Sequence, residues 1–196
     1  AVSMAHSAVE DKQREQRAAV AAREYYIERM AACPAGFEPS CDVYYSRRNS
    51  AAGITTSYSR EEAFVNFTQQ LELGNLPEEP EQRLEMVKIL ASITPGGLET
   101  NLEALEPLFA PELPSSAGYA AAFALQDSLG YKLGWTDEKL PDAPEQLAIQ
   151  TRALERIIKG HERYLAEHAL PGHAPGMTKL YEANARRLKQ GEEYEK

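Results

Sequence analysis

Apolar residues recur three and four positions apart along most of the chain, which is the spacing of one face of an α-helix. Prolines, glycines and capping residues bound these runs, as in Ser59-Arg60-Glu61-Glu62, which has the pattern of a helix-starting capping box. The predicted helices cover residues 7–32, 59–74, 80–93, 98 to Pro107 or Pro111, 115–129, 144–169 and 177–189. Asp142 is the predicted N-cap residue of the helix over 144–169, and Pro144 lies in its first turn. Because alternating strand patterns are scarce, the sequence predicts an all-α fold, an irregular bundle of six or seven helices.

Two of these helices differ in polarity from the others. Residues 115–129 are rich in alanine and weakly charged, which is typical of a helix surrounded by others, so we expect this helix at the centre of the core. Residues 7–32 are nearly all polar in their first half, with Val9, Val20, Ile27 and Met30 as sparse apolar positions. That half is expected to project into solvent or to lie along another helix through its alanines.

Residues 33–59 are the least helical part, with prolines, serines, glycines and a β-leaning run at 42–46. They predict an ordered loop with one short strand. Cys33 and Cys41 flank a compact Pro/Gly turn, and a disulfide closing this loop of about nine residues would stabilise the fold by about 2.6 kcal/mol. The alternative is two buried free cysteines. No repeat or composition shift divides the chain, so we expect one domain over 1–196, ending in a helical hairpin at 142–190.

Charge is distributed unevenly along the chain, which has a net charge of −9. Residues 61–114 hold eleven glutamates against only Arg83 and Lys88. Such a segment repels phosphate backbones and anionic lipid headgroups, which argues against nucleic acid and membrane surfaces as partners. No apolar run approaches the roughly 20 residues of a membrane-spanning helix. The acidic segment is either a solvated face or a surface that steers a basic protein partner.

Motifs for chemistry are weak throughout. No G-x-S-x-G elbow and no phosphate-cradling loop occurs, so we predict no catalytic residue and no cofactor. His161 and His168 share the apolar seam of the helix over 144–169, and His173 follows it. His161 and His168 are seven positions apart, which corresponds to about 10.5 Å along the helix axis. Two nitrogens bound to one zinc ion, each at about 2.1 Å from it, lie at most about 4 Å apart. The two histidines are therefore too far apart to bind the same ion from this helix. We expect buried or helix-end histidines, with a metal site or a pH-responsive pair as alternatives.

Tyrosines concentrate around the cysteine loop. Five of the ten lie between Tyr25 and Tyr58, accompanied by arginines, and these two residue types most often anchor protein interfaces. The alternative is that these tyrosines cover a small core over the loop. The predicted partner-binding residues are Tyr44, Tyr45, Arg47, Arg48, Tyr58, Glu78, Glu79 and Glu81.

Together these patterns predict a non-catalytic protein-binding module of an oxidising compartment. A periplasmic inhibitor or a toxin-neutralising immunity protein would have this acidity, a disulfide-closed loop and no catalytic motif. One alternative is an accessory or structural subunit of a larger assembly, for which an exposed apolar patch would be diagnostic. Another is a metal-binding enzyme that uses His161, His168 and His173. We expect a periplasmic or secreted chain, matured by removal of a signal peptide.

Overall fold

The computed structural model describes residues 2–130, 143–170 and 175–194. Within these ranges the chain forms eight α-helices and two short 3₁₀-helices, and no β-strand. The α-helices are α1 (Val2–Ala31), α2 (Glu38–Arg48), α3 (Arg60–Glu72), α4 (Pro80–Ile93), α5 (Leu98–Leu105), α6 (Ser115–Ser128), α7 (Pro144–Glu167) and α8 (Pro175–Tyr194). The all-α prediction is confirmed, with one helix more than the six or seven expected.

The additional helix is α2, and it corrects the prediction of a loop with a short strand over 33–59. Pro39 lies in the first turn, where a helix needs no amide donor from it. Glu38 opens the helix while Arg47 and Arg48 close it, so the charges match the helix dipole at both ends. These terminal signals and tertiary packing outweigh the β propensity of residues 42–46, and a 3₁₀ turn follows at Ser50–Ala52.

Chain contacts divide the molecule into two compact units, unit 1 (Ala1–Phe67) and unit 2 (Thr68–Lys196). The boundary falls inside α3, and each unit is described separately below. The single domain over 1–196 stays a prediction.

Unit 1 is built around the junction of α1 and α2. Cys33, just after α1, is joined to the buried Cys41 of α2 by a disulfide, which confirms the predicted bridge. Phe37 and Phe67 pack edge to face with ring centroids 4.9 Å apart. The buried Ser40 hydroxyl donates to the Ala63 carbonyl over 2.8 Å, so polar contacts also tie α2 to the start of α3.

The start of α3 follows the predicted capping box. The Ser59 amide donates to the Glu62 carboxylate at 2.7 Å, and the Glu62 amide donates to the Ser59 hydroxyl at 3.1 Å. These reciprocal bonds satisfy amide groups that have no partner inside the helix. The hydrogen bond from the Ser59 amide also lowers the pKa of the Glu62 carboxyl, because it stabilises the charged form.

Unit 2 is organised around α6, as the sequence predicts. Its alanines are fully buried, and the helix packs against α4, α5 and α7. At the crossing of α6 and α7, Gly118 faces Gly160, and a Cβ on Gly160 would lie 2.6 Å from the Gly118 carbonyl oxygen. The absence of two side chains therefore lets the helix backbones approach closely.

The predicted C-terminal hairpin corresponds to α7 packed against α8. Pro144 opens α7 as expected, whereas the predicted N-cap residue Asp142 lies outside the described residues. The last helix extends to Tyr194, beyond the predicted end at residue 189. Asn184 of α8 donates to Gln150 of α7 at 3.1 Å inside this contact.

Candidate functional site

The C-terminal half of α1 is anchored to unit 1 by a buried carboxylate. Asp42 of α2 is only 7% exposed, and it accepts hydrogen bonds from the Tyr26 hydroxyl on α1 and from the Thr56 hydroxyl. Tyr25 adds an edge-to-face contact with Tyr45, with ring centroids 6.3 Å apart. Tyr25 and Tyr26 therefore define the face of α1 that packs on the rest of unit 1.

A different face of α1 carries large aliphatic side chains in solvent. Val9, Val20 and Ile27 are 56%, 58% and 61% exposed. With 3.6 residues per turn, these three positions fall within about 20° of one another around the helix. The same geometry places them about 100° or more from Tyr25 and Tyr26. We call Val9, Val20 and Ile27 the α1 stripe.

The surroundings of the α1 stripe are polar. Residues 8–18 are all exposed, and most of them are charged or amide-bearing. Single exposed aliphatic residues are common on protein surfaces, but these three lie on one face of an otherwise polar helix, with Gln13, Gln16 and Glu24 between them on that face. The anchored half of α1 holds this surface in place, so the α1 stripe is the candidate binding site.

Two of the sequence-predicted interface residues are not available for contact. Tyr44 and Tyr45 are 6% and 3% exposed, and their rings pack edge to face 5.1 Å apart. This corrects the expectation that both rings project from a loop. They belong to helix α2, which turns them into unit 1, so the alternative that these tyrosines cover a small core describes the structure.

The other predicted interface residues lie at the surface in two groups. In unit 1, Arg47, Arg48 and Tyr58 are exposed, and the Arg48 guanidinium lies 4.8 Å from the centroid of the Tyr44 ring. In unit 2, Glu78, Glu79 and Glu81 are exposed around the start of α4. Their role in binding a partner stays a prediction.

His161 of α7 and His168, which follows the helix, pack against aromatic rings. His161 is 9% exposed, and its ring packs on Phe123 and Tyr119 at centroid distances of 5.1 and 5.4 Å. His168 is exposed at the C-cap of α7, as expected for a helix-end histidine, and its Nδ1 lies 2.8 Å from the Tyr164 carbonyl oxygen. Its ring stacks on Tyr164 at 4.1 Å.

No group of three or more histidine, cysteine or acidic side chains with metal-binding geometry occurs in the part of the chain that the structure describes. His173, the third residue of the predicted metal site, lies outside that part. A metal-binding enzyme that uses His161, His168 and His173 therefore stays a prediction.

The contact between Tyr26 and Asp42 that anchors α1 also shifts the pKa of Tyr26. Burial, the hydrogen bond to Asp42 and the negative charge of that carboxylate raise the pKa of Tyr26 from 10.0 to about 12. In unit 2, burial also raises the pKa of Tyr119 and Tyr164. The neutral phenol of Tyr26 is therefore the form that the folded state of unit 1 stabilises.

This shift predicts that unit 1 loses stability at alkaline pH. Because the folded pKa lies above the unfolded value, the contribution is complete below pH 10.0 and is lost as pH rises towards about 12. We expect the thermal midpoint of unit 1 to fall across this window. Tyr26→Phe should remove this component of the pH dependence while the other tyrosines still titrate. An identical alkaline slope in the wild type and the variant would contradict the assignment.

Part of this site was visible in the sequence. Val9, Val20 and Ile27 are spaced by eleven and seven residues, which places them on one helix face, but the pattern does not reveal which face packs inward. The contacts between Tyr26, Asp42 and Thr56 join positions far apart in sequence. No local signal in a single sequence indicates them.

Comparison with known proteins adds no assignment. No family model, no curated protein and no solved structure matches this chain. Among the described residues, no helix has both the length and the apolar character needed to cross a membrane.

Proposed function

We propose that this chain is a non-catalytic protein-binding module of an oxidising compartment, and that it binds a protein through the α1 stripe. The observation that carries the proposal is the exposure of Val9, Val20 and Ile27, each above one half, on one face of a polar helix. Covering apolar surface of this kind with another protein removes it from water, which favours binding.

The free energy of binding depends on the apolar area that the partner covers and on how ordered the surface is before binding. Complete burial of a valine or isoleucine side chain stabilises by about 1.5–3 kcal/mol, so covering three half-exposed side chains supplies a useful part of a binding free energy. The stripe lies on a regular helix that Tyr25 and Tyr26 hold against α2. A pre-organised surface loses less conformational entropy on binding than a flexible one.

The disulfide supports the proposed compartment. Cys33 and Cys41 are bonded, and such bonds persist in the periplasm and in secreted proteins rather than in reducing cytosol. Within that class we propose a role as an inhibitor or an immunity protein. The exposed carboxylates of Glu78, Glu79 and Glu81 would then accelerate encounter with a basic partner at low salt.

A second candidate function is an accessory or structural subunit of a larger assembly. The α1 stripe favours it too, because subunits leave apolar surface exposed when they are studied alone. The two functions differ in their effect on the bound protein. An inhibitor or an immunity protein abolishes the activity of the protein that it binds, whereas a subunit leaves the activity of its assembly intact.

Partner capture tests the proposed function. The oxidised chain is immobilised and exposed to extract from its native source, and the bound proteins are quantified by mass spectrometry. We expect Val20→Glu to reduce capture by about tenfold or more, which corresponds to about 1.4 kcal/mol of lost binding free energy. The control is Leu73→Glu in unit 2, at a position that is 70% exposed.

The control separates a specific surface from a general effect of added charge. Leu73→Glu should leave capture unchanged, and both variants should retain the helical circular dichroism of the wild type. Equal capture by Val20→Glu and by the wild type would refute a binding role for the α1 stripe.

A further inference from the structure

A cavity of about 290 Å³ lies among α5, α6 and α7 in unit 2. The described residues that line it include Leu98 and Glu99 at the start of α5, Leu129 just after α6, and Gln146, Ile149 and Gln150 of α7. Its volume is at the lower end of the usual range for ligand pockets, about 300–1,000 Å³, so it has room for one small molecule. We call it the α5–α7 cavity.

Gln150 supplies buried hydrogen-bond donors to the α5–α7 cavity. Its side chain is only 6% exposed, and its Oε1 accepts a hydrogen bond from the Asn184 Nδ2 at 3.1 Å. Among the described residues, the Gln150 Nε2 has no hydrogen-bond partner. A buried donor without a partner costs free energy, so an acceptor group inside the cavity would be bound there.

The start of α5 adds backbone donors to the same cavity. The first amides of a helix have no partner inside the helix, and Gly97, which precedes α5, has no side chain to cap them. The first two of these amides belong to Leu98 and Glu99, and both residues line the cavity. Together with the Gln150 amide they favour a carboxylate as the bound group.

The side chain of Glu99 restricts which carboxylate the cavity accepts. It is exposed, and it is the one charged side chain among the described residues that line the cavity. It would repel a simple anion, whereas an ammonium group beside the bound carboxylate would be attracted to it. The remaining surface includes Leu98, Leu129 and Ile149, which suit an aliphatic group.

We propose that the α5–α7 cavity binds a free aliphatic α-amino acid. Its carboxylate accepts hydrogen bonds from the first amides of α5 and from the Gln150 Nε2. Its ammonium group pairs with the Glu99 carboxylate, and its side chain packs on Leu129 and Ile149. Because both charged groups are attached to one carbon atom, a residue inside a peptide chain does not qualify. All of these residues belong to unit 2, so the proposal is independent of the α1 stripe.

Isothermal titration calorimetry of the oxidised full chain tests the proposal, with L-leucine as the probe. We expect saturable binding. Two analogues each lack one charge, since leucinamide has no carboxylate and isocaproate has no ammonium group. Each analogue should bind about tenfold more weakly than L-leucine, because it leaves either the amide donors or the Glu99 carboxylate without its partner.

Glu99→Gln tests the proposed contact to the ammonium group at an exposed position. It should weaken L-leucine binding by about fivefold, the upper end of what an exposed ion pair supplies. It should also strengthen isocaproate binding, because the repulsion of its carboxylate is removed. Glu103→Gln is the matched control, since Glu103 is exposed on the same helix but does not line the cavity. We expect it to bind both ligands as the wild type does.

Gln150→Met tests the buried donors, because it keeps the length of the side chain and removes its amide. The loss of Nε2 should weaken L-leucine binding by about tenfold. Asn184 also loses its acceptor in this variant, so the titration is made at a temperature at which circular dichroism shows the variant to be folded.

Three results would overturn the proposal. The first is the absence of saturable L-leucine binding at millimolar concentrations. The second is L-leucine binding that Glu99→Gln and Gln150→Met leave unchanged, which would place the ligand elsewhere. The third is equal affinity for L-leucine, leucinamide and isocaproate, which would exclude an α-amino acid as the ligand of this cavity.

Discussion

Replacing Gly160 with alanine should destabilise unit 2 by about 2 kcal/mol, the cost of forcing an extra methyl group into a tight core. The added Cβ would lie 2.6 Å from the Gly118 carbonyl oxygen, 3.0 Å from the Phe109 ring and 3.1 Å from the Cβ of Ala122. The first of these neighbours is backbone, so relief requires α6 and α7 to move apart. Urea denaturation measures the change in the free energy of unfolding.

The sign of this effect makes it informative. In an unhindered helix, glycine to alanine stabilises by about 1 kcal/mol, because alanine restricts the unfolded chain and favours the helix. Gly191→Ala in α8 is the matched control, since no atom lies within 4 Å of its added Cβ. We expect Gly191→Ala to raise stability slightly. A stabilising Gly160→Ala would mean that α6 and α7 do not cross at this distance.

Tyr45→Ala should destabilise unit 1 by about 3 kcal/mol, in the range of buried aromatic truncations. The Tyr45 side chain is 3% exposed and contacts the rings of Tyr44 and Tyr25, at centroid distances of 5.1 and 6.3 Å. Removing the ring leaves a cavity between α1 and α2. Hydrogen exchange of α1 and α2 amides should become faster, which localises the loss to unit 1.

Tyr58→Ala is the control for this truncation. Tyr58 is 42% exposed, so its loss should change stability by only about 0.5 kcal/mol. Comparing Tyr45→Ala with Tyr58→Ala also shows whether Tyr45 is a core residue or an interface residue. If Tyr45→Ala left the stability of unit 1 unchanged while reducing partner binding, the original assignment of Tyr45 to a binding surface would be correct and its burial wrong.

The elements with strong local signals could be predicted from the sequence. The helix expected over 80–93 is α4 with the same bounds, because a proline starts it and Thr-Pro-Gly-Gly follows it. Ser59 and Glu62 form the expected capping box. In each case the deciding interactions lie within a few residues of one another, so a single sequence contains them.

Features that depend on tertiary packing could not be predicted in the same way. Residues 42–46 have β propensity but lie in α2, whose faces are covered by α1 and the start of α3. Packing also decided that Tyr44 and Tyr45 are buried. For α1, periodicity places Val9, Val20 and Ile27 on one face. The contact of Tyr26 with Asp42 shows that a different face of α1 packs on unit 1, which leaves these three residues exposed.

Site-specific photo-crosslinking tests most directly whether the α1 stripe binds protein. A photoreactive residue is placed at position 20 or, as a control, at position 73, and the oxidised chain is irradiated in extract from its native source. We predict a discrete protein adduct from position 20 and none from position 73. Adducts of equal yield from both positions, or none from position 20, would contradict the account.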